Sequence, residues 1–195
     1  MRDLNVERWK KARAEGNIVH GTYRFNDCFC VVGALIFNEE TGLFETARMP
    51  NWLRECAAEA FDNLPSGKDL EFADKFAEYA KACSENGANE KLMLDKFRSV
   101  HLLPRALENA ESGGKVREEI ITELKRIKPN GDCNPYFLSM CDFDAFNTSE
   151  DEAILAIRRA NGDLRNTMTP ELIASGVLDV LKWGAETKWV KGAIQ

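Results

Sequence analysis

Apolar residues recur at helical spacing along most of this chain, and one stretch carries no polar side chain at all. Residues 4–15 set Val6, Trp9 and Ala12 on one side and Glu7, Lys10 and Lys11 away from it, with Arg13 at the border and Gly16 as the stop, which predicts an amphipathic helix. Pro50-Asn51 opens a second helix running to Leu64, with Leu53, Cys56, Ala57, Ala60 and Phe61 as its inner face and Pro65-Ser66-Gly67 beyond it. Residues 68–84 place Phe72, Phe76, Tyr79, Ala80 and Cys83 on one stripe, and Asn86-Gly87 breaks that helix.

The same spacing continues downstream. Leu92, Leu94, Phe97 and Val100 predict a helix over 90–100, Pro104 starts another to Glu111, and Val116, Ile120, Leu124 and Ile127 mark one face of 115–127. Lys125 and Arg126 fall in its last turn, where they suit the helix dipole. Lys128 to Thr148 is rich in turn residues and reads as an ordered loop. Ser149-Glu150-Asp151-Glu152 matches a capping box ahead of a helix to about 160, and Thr169-Pro170-Glu171 starts a helix to Gly184 that Gly176 would divide.

The run Cys28 to Phe37 is harder to assign. Ten residues without alternation fit a buried helix or a buried strand, and periodicity does not separate them. Asn26-Asp27 in front is cap chemistry, and Gly33-Ala34-Leu35 lacks strand preference, so helix is favoured. The sum is a mainly α, single compact multi-helix domain over residues 1–195, with a small β element around residues 17–48. Subdivision, if any, would fall near 112–114 or 128–148.

Composition narrows the function classes. A chain of 195 residues buries roughly 70 % of its unfolded surface without needing disulfides or metals as staples. Its 26 Lys and Arg against 32 Asp and Glu give a net charge of −6, which disfavours nucleic-acid partners. No apolar run reaches the roughly 18 to 20 residues that span a bilayer, so no membrane association and a cytoplasmic location are expected. The cysteines at 28, 30, 56, 83, 133 and 141 sit mostly in apolar patterns, as reduced thiols do.

Candidate chemistry is sparse. A thiol at a helix N-terminus beside a histidine is a nucleophile, which makes Cys28 and Cys30 with His20 or His101 the catalytic candidates. Asp27 next to the thiol opposes ionisation. Cys28, Cys30, Cys133, Cys141 and His20 hold enough ligands for zinc, but their spacings differ from knuckle sites, so no metal and no cofactor are expected. Glu39-Glu40 and Asp142 with Asp144 are carboxylate pairs whose usual role is solvated or capping. Asn130-Gly131-Asp132 and Ser112-Gly113-Gly114-Lys115 lack the context of a phosphate loop. Trp52, Trp183 and Trp189, with Phe137, Phe143 and Phe146, are candidates for an exposed recognition patch; Trp183 and Trp189 lead as binding residues, Trp189 above all for its mixed polar surroundings.

Trp9, Gly16, Tyr23, Cys28, Cys30, Gly33 and Leu35 give the segment Val6–Phe37 a pattern. It resembles the N-terminal part of a loose group of uncharacterised phage and prophage proteins, which pass from a Trp-containing helix through a basic-then-glycine turn and a tyrosine into Cys-Cys-Leu-Gly-Val/Ala-Leu. Phe29 here separates the two cysteines. Phe146-Asn147-Thr148-Ser149 with the following helix is similar to a Leu-Asn-Asp-like turn of that group, and the likeness covers about a quarter of the chain. It implies a small cytosolic accessory protein of phage type and puts no residue in a catalytic role. Together with the lack of catalytic signatures and the ordinary acidic composition, it favours a protein that binds and modulates a protein partner, as an inhibitor or adaptor. The alternative is a small cysteine-dependent hydrolase or transferase.

Overall fold

The computed structural model describes residues 1–97, 100–101 and 169–189. Their chain order is α1 (Val6–Glu15), β1 (Arg24–Phe25), β2 (Cys28–Phe29), α2 (Val31–Ile36), a single 3-10 turn (Thr46–Arg48), α3 (Asn51–Asn63), α4 (Lys68–Asn86), α5 (Glu90–Phe97) and α6 (Pro170–Glu186). The fold is mainly helical with a small antiparallel pair of strands. The helices expected over 104–111, 115–127 and 150–160, the loop 128–148 and both possible points of subdivision lie outside the described residues.

Specific caps fix the ends of α1 and α6. The Asn5 side chain accepts from Arg8 N–H at 3.0 Å to cap α1, and Gly16 closes it in the left-handed conformation. Thr169 caps α6 through the Leu172 N–H at 3.3 Å, with Pro170 in the first turn. Its far end is capped from another helix: the Asn86 side-chain amide, at the end of α4, donates to the carbonyls of Gly184, Ala185 and Thr187.

The core is the meeting of α3, α4 and α6, with α1 and α2 closing one side and α5 the other. Leu53, Cys56, Ala57, Ala60 and Phe61 of α3 and Phe72, Phe76, Ala80 and Cys83 of α4 are buried, as their spacing requires. α6 runs unbroken through Gly176, which corrects the expected division there. A Cβ at Gly176 would stand 2.9 Å from the Phe97 ring and 3.0 Å from His101, so glycine serves close packing and not a break.

The run 28–37 is neither one helix nor one strand. Cys28–Phe29 pairs with Arg24–Phe25, and Val31–Ile36 follows as a six-residue helix buried on all sides. Asn26-Asp27, expected from the sequence to cap that helix, does not do so; it is the two-residue turn of the hairpin, with Asn26 at φ 54°. The cap is Cys30, whose Sγ accepts from the Gly33 N–H at 3.2 Å.

Candidate functional site

The four catalytic candidates do not assemble. Cys30 is buried, and that burial, reinforced by the nearby Asp62 carboxylate, outweighs the Gly33 N–H and pushes its thiol up to about 11. A helix of only two turns has too small a dipole to reverse this. Cys28 is half-buried on β2. Among the described residues no hydrogen bond joins either thiol to an imidazole, because both histidines face carboxylates instead: His20 meets Asp69 at 3.0 Å and His101 meets Asp179 at 3.0 Å.

His20 is nevertheless built into a defined geometry. Its ring lies 4.3 Å from the Phe61 ring, parallel to within 4°, and its Nε2 faces Asp69 Oδ2. Asp69 is buried in the first turn of α4, where its other oxygen accepts from the Gly67 N–H at 2.7 Å. The pair thus ties the segment after α1 to the start of α4 and the end of α3. Nothing in the sequence joined positions 49 apart; a buried aspartate inside a polar Gly-Lys-Asp start looks like an ordinary helix opening.

A more extensive arrangement surrounds Phe37. The chain on either side folds back as Phe37 bridges Phe44, and the turn between them is held by Asn38, whose side chain accepts from the N–H groups of Glu40 and Thr41. Phe37 packs on Phe29 at 5.1 Å and Phe44 at 5.6 Å, and Phe44 meets Tyr23 at 5.6 Å. The hairpin 24–29 and the turn 38–43 therefore share one aromatic base.

Three arginines converge on that base. The guanidinium groups of Arg8 and Arg24 lie 5.7 and 5.3 Å from the Phe37 ring centre, with Arg8 also 4.3 Å from Phe29, and Arg48 donates to the Phe37 carbonyl at 3.4 Å. Each also meets a carboxylate: Arg8 with Glu39 at 3.5 Å, Arg24 with Asp27 at 3.7 Å and Arg48 with Glu45 at 2.7 Å. Hydrogen bonds from the Asn38 amide, then from Arg48, hold the Glu45 carboxyl below its ordinary value. The two turns also carry bulky apolar side chains in solvent: Phe25 is 64 % exposed and Leu43 is 65 % exposed.

The tryptophans expected to form a patch are mostly spent internally. Trp52 is buried and stacks on Phe97 at 5.4 Å, which removes it from any recognition surface. Trp183 and Trp189 meet edge to face at 5.3 Å at the end of α6, the Trp189 indole N–H donates to the Gly184 carbonyl at 2.7 Å, and Lys96 lies over Trp183. Both remain half-buried. Glu39 and Glu40 separate, Glu39 turning to Arg8. Cys133, Cys141, Asp142, Asp144, Phe137, Phe143 and Phe146 lie outside the described residues.

Among the described residues no three His, Cys, Asp or Glu side chains gather as metal ligands, and no helix is long and apolar enough to cross a membrane. A groove of about 540 Å³ runs between α1 and α4, but the polar atom at its base, Trp9 Nε1, already donates to Asp74 at 3.0 Å. No family model, no curated protein and no solved structure matches the chain.

Proposed function

We propose that this chain acts by binding a protein partner, as an inhibitor or adaptor, through the corner that carries Phe25 and Leu43. One observation supports the reading above others: two large apolar side chains stand in solvent on adjoining tight turns whose bases are locked by the Phe37 cluster. A single exposed Phe or Leu is unremarkable. Two on rigid supports that share a base cost little to immobilise when a partner covers them, and covering each recovers about 1.5–3 kcal/mol of hydrophobic free energy.

The phage-type resemblance reaches this same corner, since Cys28 pairs with Phe25 across the hairpin and Cys30 and Gly33 pack on the Tyr23 backbone. A phage or prophage accessory protein working in the host cytoplasm is the setting we favour. The competing cysteine enzyme would have to use Cys28, because Cys30 keeps its proton until about pH 11.

Site-specific photocrosslinking tests the proposal. Benzoylphenylalanine at position 25 and, separately, at position 43 should trap the same partner in host cells, while the same probe at the exposed Glu59 on α3 should not. Identical adduct patterns from all three positions, or none from 25 and 43, would overturn it.

A further inference from the structure

We infer that Arg54, with the hydroxyl of Tyr23 and the side-chain amide of Asn51, binds a phosphate group. Such a site needs neither Phe25 nor Leu43, and it goes beyond the docking of a protein at that corner. What marks it is an uncompensated charge. Arg8, Arg13, Arg24 and Arg48 each meet a carboxylate. Arg54 is half-buried, yet among the described residues its guanidinium meets only two neutral oxygens, Tyr23 Oη at 3.0 Å through Nη1 and Asn51 Oδ1 at 2.6 Å through Nη2. Its Nε is buried and finds no acceptor, so nothing balances the charge from the inner side.

The local sequence supplies no counter-charge. On a helix the neighbours of a side chain lie three and four positions away, and for Arg54 these are Pro50, Asn51, Ala57 and Ala58. The first turn of α3 carries no acidic residue, although that end of a helix is where the dipole favours an anion and opposes a cation. A guanidinium held there without a carboxylate is poised for an oxyanion from outside. The groups around it are donors. Tyr23 and Asn51 each give an oxygen to Arg54, which leaves the Tyr23 O–H, the Asn51 Nδ2 amide and the remaining Nη N–H groups for a ligand. Tyr23 is held in place, since its carbonyl accepts from the Cys30 N–H and its ring packs on Phe44 at 5.6 Å. Three kinds of donor suit the three terminal oxygens of a phosphate group better than the two of a carboxylate.

The test is a titration of the full chain with inorganic phosphate, followed by amide resonances at an ionic strength held constant with chloride. Saturable shifts should gather at residues 22–24 and 51–55, and acetate should bind at least about tenfold more weakly. Arg54→Gln should lower phosphate affinity at least about tenfold, as the loss of a hydrogen bond to a charged group does. Tyr23→Phe keeps the ring on Phe44 and should lower it several-fold, which checks the hydroxyl even where the Arg54 variant fails to fold. A capped phosphoserine peptide separates two sources of the same group. Binding at least as tight as that of inorganic phosphate assigns a phosphate borne on a protein, weaker binding assigns a free one, and each supports the site. No saturable shifts, shifts confined to other parts of the chain, acetate binding as tightly as phosphate, or full affinity in the folded variants would overturn it.

Discussion

Gly33 lies so close to Tyr23 that a Cβ on the glycine would sit 2.1 Å from the Tyr23 carbonyl oxygen and 2.8 Å from its Cα. That carbonyl is also the acceptor for the Cys30 N–H, so the crossing is fixed by backbone on both sides. No side chain can rotate away to make room. Gly33→Ala should therefore destabilise the fold by about 3 kcal/mol or more, the upper range for overpacking. Gly184→Ala is the control. Its Cβ would meet Cys83 Sγ at 2.9 Å and Met93 Sδ at 3.1 Å, and a methionine can yield, while alanine recovers about 1 kcal/mol of helix propensity. Denaturant unfolding of the two variants should separate them clearly; equal losses would mean that the Tyr23 segment moves aside.

The sequence made some of this legible and hid the rest for identifiable reasons. Helices α3, α4 and α6 announce themselves because each buries one stripe at a regular spacing, and their termini carry proline, threonine or glycine with a defined task. Cys28–Phe37 was ambiguous because its members are buried whatever their local structure, so burial leaves no period to read. Asn26-Asp27 suits a helix cap and a hairpin turn equally well, and only strand pairing decides between them. Gly176 illustrates the same limit: a glycine that permits a close crossing and one that ends a helix look alike until the neighbouring element is known. The exposed corner was missed because nothing local distinguishes Phe25 from the buried Phe29 four residues on.

The His20–Asp69 pair should contribute to stability asymmetrically. Asp69→Ala removes the acceptor of both the Gly67 N–H and the His20 ring, at the start of the longest helix described here, and should cost about 2–3 kcal/mol. His20→Ala leaves Asp69 with its backbone partner and should cost about 1 kcal/mol, including the ring lost from Phe61. A double-mutant cycle should return a coupling of about 1 kcal/mol. Strict additivity would show that the two residues do not interact in solution.

Asn86→Ala should loosen the end of α6 without disturbing its start. The amide of Asn86 serves three carbonyls that the helix itself leaves unpaired, and the 2.7 Å bond to Thr187 is the shortest of them. A loss of about 1–2 kcal/mol is expected. Hydrogen exchange locates it: amides near the last turn of α6 and around Trp189 should exchange faster, while those near Thr169 keep their protection. Uniform acceleration along α6 would assign Asn86 a global role instead.

The Cys30 thiol should make stability fall at alkaline pH. Its folded value of about 11 stands above the ordinary 9.0, so the fold favours the protonated form. Below about pH 9 both states are protonated and its contribution is complete. Between about pH 9 and 11 the unfolded chain releases a proton that the folded chain keeps, and stability declines by about 1.4 kcal/mol per pH unit for one such group. Cys83, pushed up to about 12 by burial, extends the same decline. Cys30→Ser removes the titration but keeps an oxygen where Sγ caps α2, so it should match the parent near pH 7 and lose less stability by pH 11. Denaturant unfolding across that range is the measurement, and parallel curves for the two proteins would mean that Cys30 ionises at its ordinary value in the fold. Iodoacetamide labelling should agree: among the cysteines of the described residues, Cys28 should be modified in the native protein and Cys30, Cys56 and Cys83 only on unfolding.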